Sequence, residues 1–252
     1  MSVECLIILS IFVRYYKSTI MENQQLYSLS REQLQVFLTA KIGDGGIYTS
    51  NSNSTYYCTN CKYEEYIDFK SQLLGDLFKS KTFVKENGYS RTGIYCMRSR
   101  SCHILPSIRS LSLKDTMDKI DDLGMALWIY DNGSLHKNEM YYNISTHRFS
   151  REDQEQAFIP FFNRIGVFPE IEVERKKDGR VFYYLRIKKY KGAKILSDIL
   201  SRYPLNCYSY KRWSSETNQK WCKFQEELKR TGKEINSMSG VKLGCIWREI
   251  SL

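Results

Sequence analysis

Two phrases in this chain each end an apolar run on a polar side chain followed by glycine. The first is Phe37-Leu38-Thr39-Ala40-Lys41-Ile42-Gly43-Asp44-Gly45. The second is Leu123-Gly124-Met125-Ala126-Leu127-Trp128-Ile129-Tyr130-Asp131-Asn132-Gly133. Each reads as a helix with small residues that stops at an acid or amide before a glycine. The copies differ at one group, a carboxylate at Asp44 and a carboxamide at Asn132. A carboxylate carries a charge that a carboxamide lacks, so the copies cannot do identical ionic chemistry. Cys58 and Cys61 form the only close pair among the eight cysteines. No second CxxC and no spaced histidine pair accompanies them, so a zinc site is not expected. Scattered single cysteines suit a reducing compartment. From Glu174 to Arg212 there are twelve Lys or Arg against three Asp or Glu, which predicts a phosphate-facing region.

The elements that would position these phrases recur in one order. Ser30-x-x-Gln33 predicts a capping box opening a helix that runs to about Gly43. Strands near Gly46–Thr49 and Thr55–Asn60 flank a polar turn. Tyr63–Lys79 has a helical period, and a hairpin Lys81–Lys85 and Arg91–Arg98 turns at Asn87-Gly88. The second half predicts a helix from about Lys119 to Asp131 and strands Ser134–His136 and Glu139–Ser145. A helix capped by Ser150-x-x-Asp153 follows, then strands Glu170–Lys176 and Arg180–Lys188 about Asp178-Gly179. The interval from Gly45 to Gly133 nearly equals that from Gly88 to Gly179, which indicates an internal duplication. Each copy reads α-β-β-α-β-β-α, an α+β fold. The chain is long enough for one large domain or two small ones, and its net charge of +10 favours an anionic partner. The apolar run Leu6–Val13 is too short to span a bilayer and lacks a signal-peptide pattern, so no membrane association is expected. A buried strand, an organelle-targeting stretch and a gene-model extension before Met21 all remain open for it. Past Trp213 a polar helix Glu216–Arg230 is expected, with Trp221 and Phe224 docking it on the body.

The two phrases resemble the two LAGLIDADG motifs of a single-chain homing endonuclease, over roughly residues 30–212. The second copy, with Trp128, Tyr130, Asp131 and Gly133-Ser134-Leu135, is the closer match. The resemblance implies two pseudo-symmetric repeats forming a DNA-binding saddle, with the motif helices packed at the interface. Residues 1–29 would be an N-terminal extension, 30–115 the first repeat, 116–212 the second, and 213–252 a C-terminal helix and tail. It further implies an intracellular, monomeric, intron-encoded, Mg2+-dependent nuclease that hydrolyses phosphodiester bonds in double-stranded DNA. Each repeat would lay the polar face of a four-stranded sheet along the major groove. In Val181–Lys188 the alternation sends Val181, Tyr183, Leu185 and Ile187 one way and Phe182, Tyr184, Arg186 and Lys188 the other. The second set would face DNA, joined by Tyr48, Tyr56, Arg98, Arg100, Lys176 and Arg180.

The family's catalytic acid precedes the motif's glycine, which maps onto Asp44 and Asn132, with Asp131 as a neighbour. These three are the implied metal ligands. Hard cations prefer charged oxygens, so Asn132 removes one principal charge. The resemblance places Lys211 as the basic residue of the second half, and His103 or Cys102, ahead of Ile104-Leu105-Pro106, where the first half's basic residue is expected. His136 and His147 read as ordinary loop or strand residues. The outcomes left open are slow cutting of both strands, nicking of one, a decayed DNA binder, or an intron maturase that binds RNA. Asn132-Gly133 is also a deamidation-prone pair that could regenerate a carboxylate.

Overall fold

A computed structural model describes residues 28–85, 92–136, 141–188 and 190–231. The Leu6–Val13 run, the Asn87-Gly88 turn, the start of the strand expected at Glu139 and the tail after 231 lie outside the described residues. The described chain forms two compact units. One holds residues 28–41 and 45–111; the other holds Ile42–Asp44 and residues 112–231.

The first unit opens with α1 (Arg31–Thr39). Ser30 Oγ accepts the Gln33 N–H at 3.2 Å, and Gln33 Oε1 accepts the Ser30 N–H at 3.0 Å. That reciprocal pair satisfies two orphan donors, as the Ser-x-x-Gln spacing predicts. The helix stops at Thr39, short of Gly43. The Thr39 hydroxyl turns back to the Gln35 and Val36 carbonyls, each at 2.9 Å. Lys41 N–H then bonds Leu38 O at 3.1 Å, a tightened turn that ends the helix. The Lys41 ammonium caps the Arg109 and Leu111 carbonyls.

Strands β1 (Gly45–Thr49), β2 (Thr55–Cys61), β3 (Phe78–Val84) and β4 (Ile94–Ser99) form an antiparallel sheet ordered β1-β2-β4-β3. Helix α2 (Glu64–Leu74) lies between β2 and β3 and ends earlier than Lys79. Gly75 takes φ +54°, a left-handed stop open to glycine, and a 3₁₀ turn leads into β3. Tyr57 and Met97 on the inner face are buried with Tyr66, Ile67 and Leu74 of α2. Helix α3 (Leu105–Ser110) completes the αββαββα order.

The second unit repeats that order after a short α4 (Leu113–Lys119). The single helix expected over 119–131 is instead broken at Ile120–Asp121. Asp121 Oδ1 accepts the Leu123 and Gly124 N–H groups and starts α5 (Asp122–Asn132) afresh. Strands β5 (Gly133–His136), β6 (Tyr141–Ile144), β7 (Glu170–Arg175) and β8 (Val181–Ile187) are ordered β5-β6-β8-β7, the order of the first sheet. Ser150 and Asp153 form the second capping box, opening α6 (Arg151–Asp153). A π-helical turn, Gln154–Phe158, joins it to α7 (Ile159–Arg164). Pro160 has no N–H to give to an i−4 carbonyl, and the ladder widens beside it. Helices α8 (Tyr190–Arg202) and α9 (Ser215–Thr231) follow. Trp221 stacks on Tyr190 with ring centroids 5.1 Å apart, which docks α9.

Leu185 and Ile187 are buried on the inner face, as alternation requires, but Val181 is exposed. Val173, which pairs with Tyr183, is exposed too, so the apolar side of the β7–β8 hairpin is uncovered toward its tip. Gly179 takes φ +85° at that tip. No described helix is long and apolar enough to cross a membrane.

Candidate functional site

Helix α5 is buried on every side from Leu123 to Tyr130. Trp128 packs on Phe158 and Phe162, with centroids 5.0 and 5.6 Å away, and Tyr130 stacks on Tyr208 at 5.1 Å. A helix end in such surroundings needs partners for its last carbonyls. Lys211 supplies them. Its buried ammonium donates to Ile129 O at 3.2 Å and Tyr130 O at 2.5 Å, while its own carbonyl accepts the Tyr142 hydroxyl at 2.5 Å. Burial drives the Tyr142 pKa upward, so that donor stays protonated. Lys211 therefore stands at the end of the motif helix, engaged with its backbone.

Gly133 has φ −84° and ψ 148°, an ordinary extended backbone, so it is not there for a left-handed turn. A Cβ at this position would lie 2.6 Å from Ile129 Cγ2 and 2.7 Å from Ile129 O. At Gly45 it would lie 2.5 Å from Tyr57 Cε2. Both motif glycines are fixed by close approach. The Gly133 N–H donates to Ile129 O. Succinimide formation needs that nitrogen to attack the Asn132 side chain, so the helix end opposes the deamidation the sequence suggests.

Asn132 is the last residue of α5, whereas Asp44 lies in the turn beyond α1. The side-chain positions nevertheless converge. Asn132 Nδ2 is 3.4 Å from Asp44 Oδ1, and the Asp44 N–H donates to Asp131 Oδ2 at 3.2 Å. The negative charge absent at 132 is thus present one residue earlier. Asn132 Oδ1 is buried without a hydrogen-bond partner among the described residues. An orphaned oxygen beside two carboxylates suits a hard divalent cation, which takes carboxylate and amide oxygens together. Among the described residues no cluster of three or more His, Cys, Asp or Glu side chains could hold a metal.

Arg148, which sequence reasoning passed over, follows β6 and feels the charge of both Asp44 and Asp131. Partial desolvation of its guanidinium pulls its pKa down and the two carboxylates pull it back up. No motif spacing announces it; only the return of β6 antiparallel to β5, ending beside Gly133, brings it here. His103 stands exposed in the first unit, in the turn before α3.

The outer faces of the sheets carry the other expected residues. In the first, Tyr48 pairs with Tyr56 across β1 and β2, and the Arg98 guanidinium lies 3.6 Å from the Tyr56 ring centroid. Arg98 Nε has no hydrogen-bond partner among the described residues. Arg100 follows β4 and is exposed. In the second, Arg186 bonds Asn143 Oδ1 at 3.0 Å and the Tyr184 hydroxyl at 2.5 Å, and pairs with Glu172 at 3.4 Å. Lys188 pairs with Glu170 at 2.6 Å and Glu172 at 2.8 Å. Lys176 pairs with Glu174 at 2.5 Å, and Arg180 with Asp178 at 2.8 Å. The alternation Glu170-Ile171-Glu172-Val173-Glu174 was legible as one acidic row, and it neutralises the basic one. A pocket of about 370 Å³ opens beside Asn132, lined also by Ser145, His147, Glu174 and Tyr184.

The fold is that of the LAGLIDADG homing endonucleases: two αββαββα units, each with a four-stranded antiparallel sheet. Among similar solved structures, the homing endonuclease I-WcaI bound to its DNA recognition sequence has a TM-score of 0.60 and 14% identity, covering 73% of this chain and 87% of that one. I-DmoI in complex with DNA and Mn has a TM-score of 0.45 and 20% identity over 68% of this chain and 98% of that one. The N-terminal LAGLIDADG domain of DUF199/WhiA has a TM-score of 0.43 and 12% identity over 68% of this chain and 82% of that one. No protein-family model and no curated protein matches the chain.

Proposed function

We propose that the protein is a site-specific endonuclease of the homing type that hydrolyses phosphodiester bonds in double-stranded DNA. The observation that carries this reading is the convergence of Asp44, Asp131 and the orphaned Asn132 oxygen beside Arg148. Support also comes from I-WcaI, a protein of this fold solved on its DNA recognition sequence. Asp44 and Asp131 would hold a divalent cation, Mg2+ in our reading, with the Asn132 amide oxygen. Such a cation supplies charge neutralisation at the phosphate and a more acidic water. The chain's own residues do the rest. Arg148 presents a guanidinium to the non-bridging phosphate oxygens, a fork geometry suited to them. Lys211 keeps the end of α5 closed so that Asp131 and Asn132 stay in register. Tyr48, Tyr56, Arg98, Arg100, Lys176, Arg180, Tyr184, Arg186 and Lys188 would contact base edges or backbone.

The test is conversion of a supercoiled plasmid carrying the target in the presence of Mg2+. Linear product is expected, with a nicked species accumulating first because the two halves of the site are chemically unequal. Asp44→Ala should abolish both products and keep DNA binding. Undiminished cleavage by Asp44→Ala would remove Asp44 from the reaction. Asn132 favours one second reading, a nucleic-acid binder such as a maturase or a decayed endonuclease. That reading takes over if wild-type protein binds DNA or intron RNA and leaves every strand intact.

A further inference from the structure

The pocket beside Asn132 holds three groups in line. Ser145 Oγ is 3.4 Å from His147 Nδ1, and His147 Nε2 is 3.5 Å from Glu174 Oε2. The imidazole also rests against Phe182 and Tyr184, with centroids 5.7 and 5.8 Å away. The Ser145 N–H donates to Asn132 O at 2.9 Å, which ties the segment bearing His147 to the end of α5. Asn132, Ser145, His147 and Glu174 line one cavity of about 370 Å³.

A carboxylate at one ring nitrogen decides which nitrogen carries the proton. The Glu174 carboxylate 3.5 Å away favours the proton on Nε2, which leaves Nδ1 as an acceptor toward Ser145 and the open pocket. The Ser145 hydroxyl rotates, so it can accept from a water and leave that water's other proton to Nδ1. The groups facing the ring are Glu174 from β7, Phe182 and Tyr184 from β8, and Ser145 from its own segment. Lys176 takes the other oxygen of Glu174 at 2.5 Å, and Arg180 lies over Phe182 at 5.6 Å. A histidine held and oriented in this way has the attributes of a general base.

We propose that His147 is the general base for one of the two strand cuts, the one made beside Asn132. The proposal rests on the endonuclease reading above. The oxygen of water bonds to phosphorus while the bond from phosphorus to the 3′ oxygen breaks. Nδ1 takes the water's proton and the 3′ oxygen takes one from solvent, leaving a 5′-phosphate and a 3′-hydroxyl. The carboxamide of Asn132 is not a base and cannot take that proton. His147 supplies a proton acceptor in the same pocket, and Glu174 acts as its positioning residue.

The experiment uses the full chain with Mg2+ and a linear duplex labelled on each strand in turn. His147→Ala should slow one cut by about 100-fold and leave the other cut and DNA affinity near wild type. Added imidazole should restore the slowed cut in part. Glu174→Gln should slow the same cut by less. The proposal is overturned if His147→Ala cuts both strands at the wild-type rate. It is equally overturned if both cuts slow alike, or if imidazole restores nothing while DNA binding is intact. Wild-type protein that binds the duplex and cuts neither strand instead brings down the endonuclease reading, and the base assignment with it.

Discussion

The two sheets share one strand order but hold their outward cations differently. In the first, Arg98 lies on Tyr56 and has no ion pair among the described residues. In the second, Arg186, Lys188 and Lys176 are all paired with the glutamates of β7. The richest run of positive charge in the sequence is therefore largely neutralised where it reaches the sheet. Charge counted along a chain measures potential contact; charge left after folding measures what a phosphate or base edge can engage. The same contrast holds at the motifs. Asn132 ends a helix whose carbonyls are capped by Lys211, while Asp44 lies in a turn beyond a helix that stopped early.

The largest effect should come from the capped end. Lys211→Met would take the ammonium from the buried Tyr130 carbonyl and leave Ile129 O with the Gly133 N–H alone, at a cost of about 3 kcal/mol in stability. Denaturant unfolding would show it as a lower midpoint at unchanged slope. A midpoint within error of wild type would mean that water or another donor replaces the ammonium. Next, Gly133→Ala should destabilise by about 2 kcal/mol because the added methyl meets Ile129 at contact distances no Cβ tolerates.

Much of this was legible. The Ser30 and Ser150 boxes, the two hairpins of each repeat and the inward set Leu185 and Ile187 follow from spacing, because capping and strand alternation are local physics. The site was half legible. The motif identified Asp44 and Asn132, and tertiary placement then gave Asp131 its position against the Asp44 N–H. Arg148 and His147 come from the segment after β6, and no local pattern brings that segment to the end of α5. Helix ends were misjudged where a side chain or glycine intervened, as at Thr39 and Gly75.

A smaller effect tests the sheets directly. Arg98→Ala should weaken target binding by about 2 kcal/mol, the scale of one arginine contact to a base edge. Arg186→Ala should cost less, because its guanidinium already has a carboxylate, an amide and a phenol as partners. Equal losses from the two variants would show that DNA displaces the second sheet's ion pairs at little cost, and the comparison would fail.

The smallest effect concerns Glu172. Its carboxyl is held below the usual carboxylate range, chiefly by the hydrogen bond from Lys188, with burial opposing and Arg186 adding to it. A depressed folded-state value means that the pairing contributes above the unfolded pKa and is lost as pH falls through the folded one. At neutral pH the glutamate is therefore charged and masks the two cations. Glu172→Gln removes that mask while keeping size and shape. Binding to non-specific duplex should tighten a few-fold, and the slope of log affinity against log salt should steepen by about 0.9, one further phosphate contact. The slope, measured by titration across salt concentrations, decides the matter because it counts ions released. An unchanged slope would mean that Lys188 stays bound to Glu170, and that a single carboxylate is enough to keep this face neutral toward DNA.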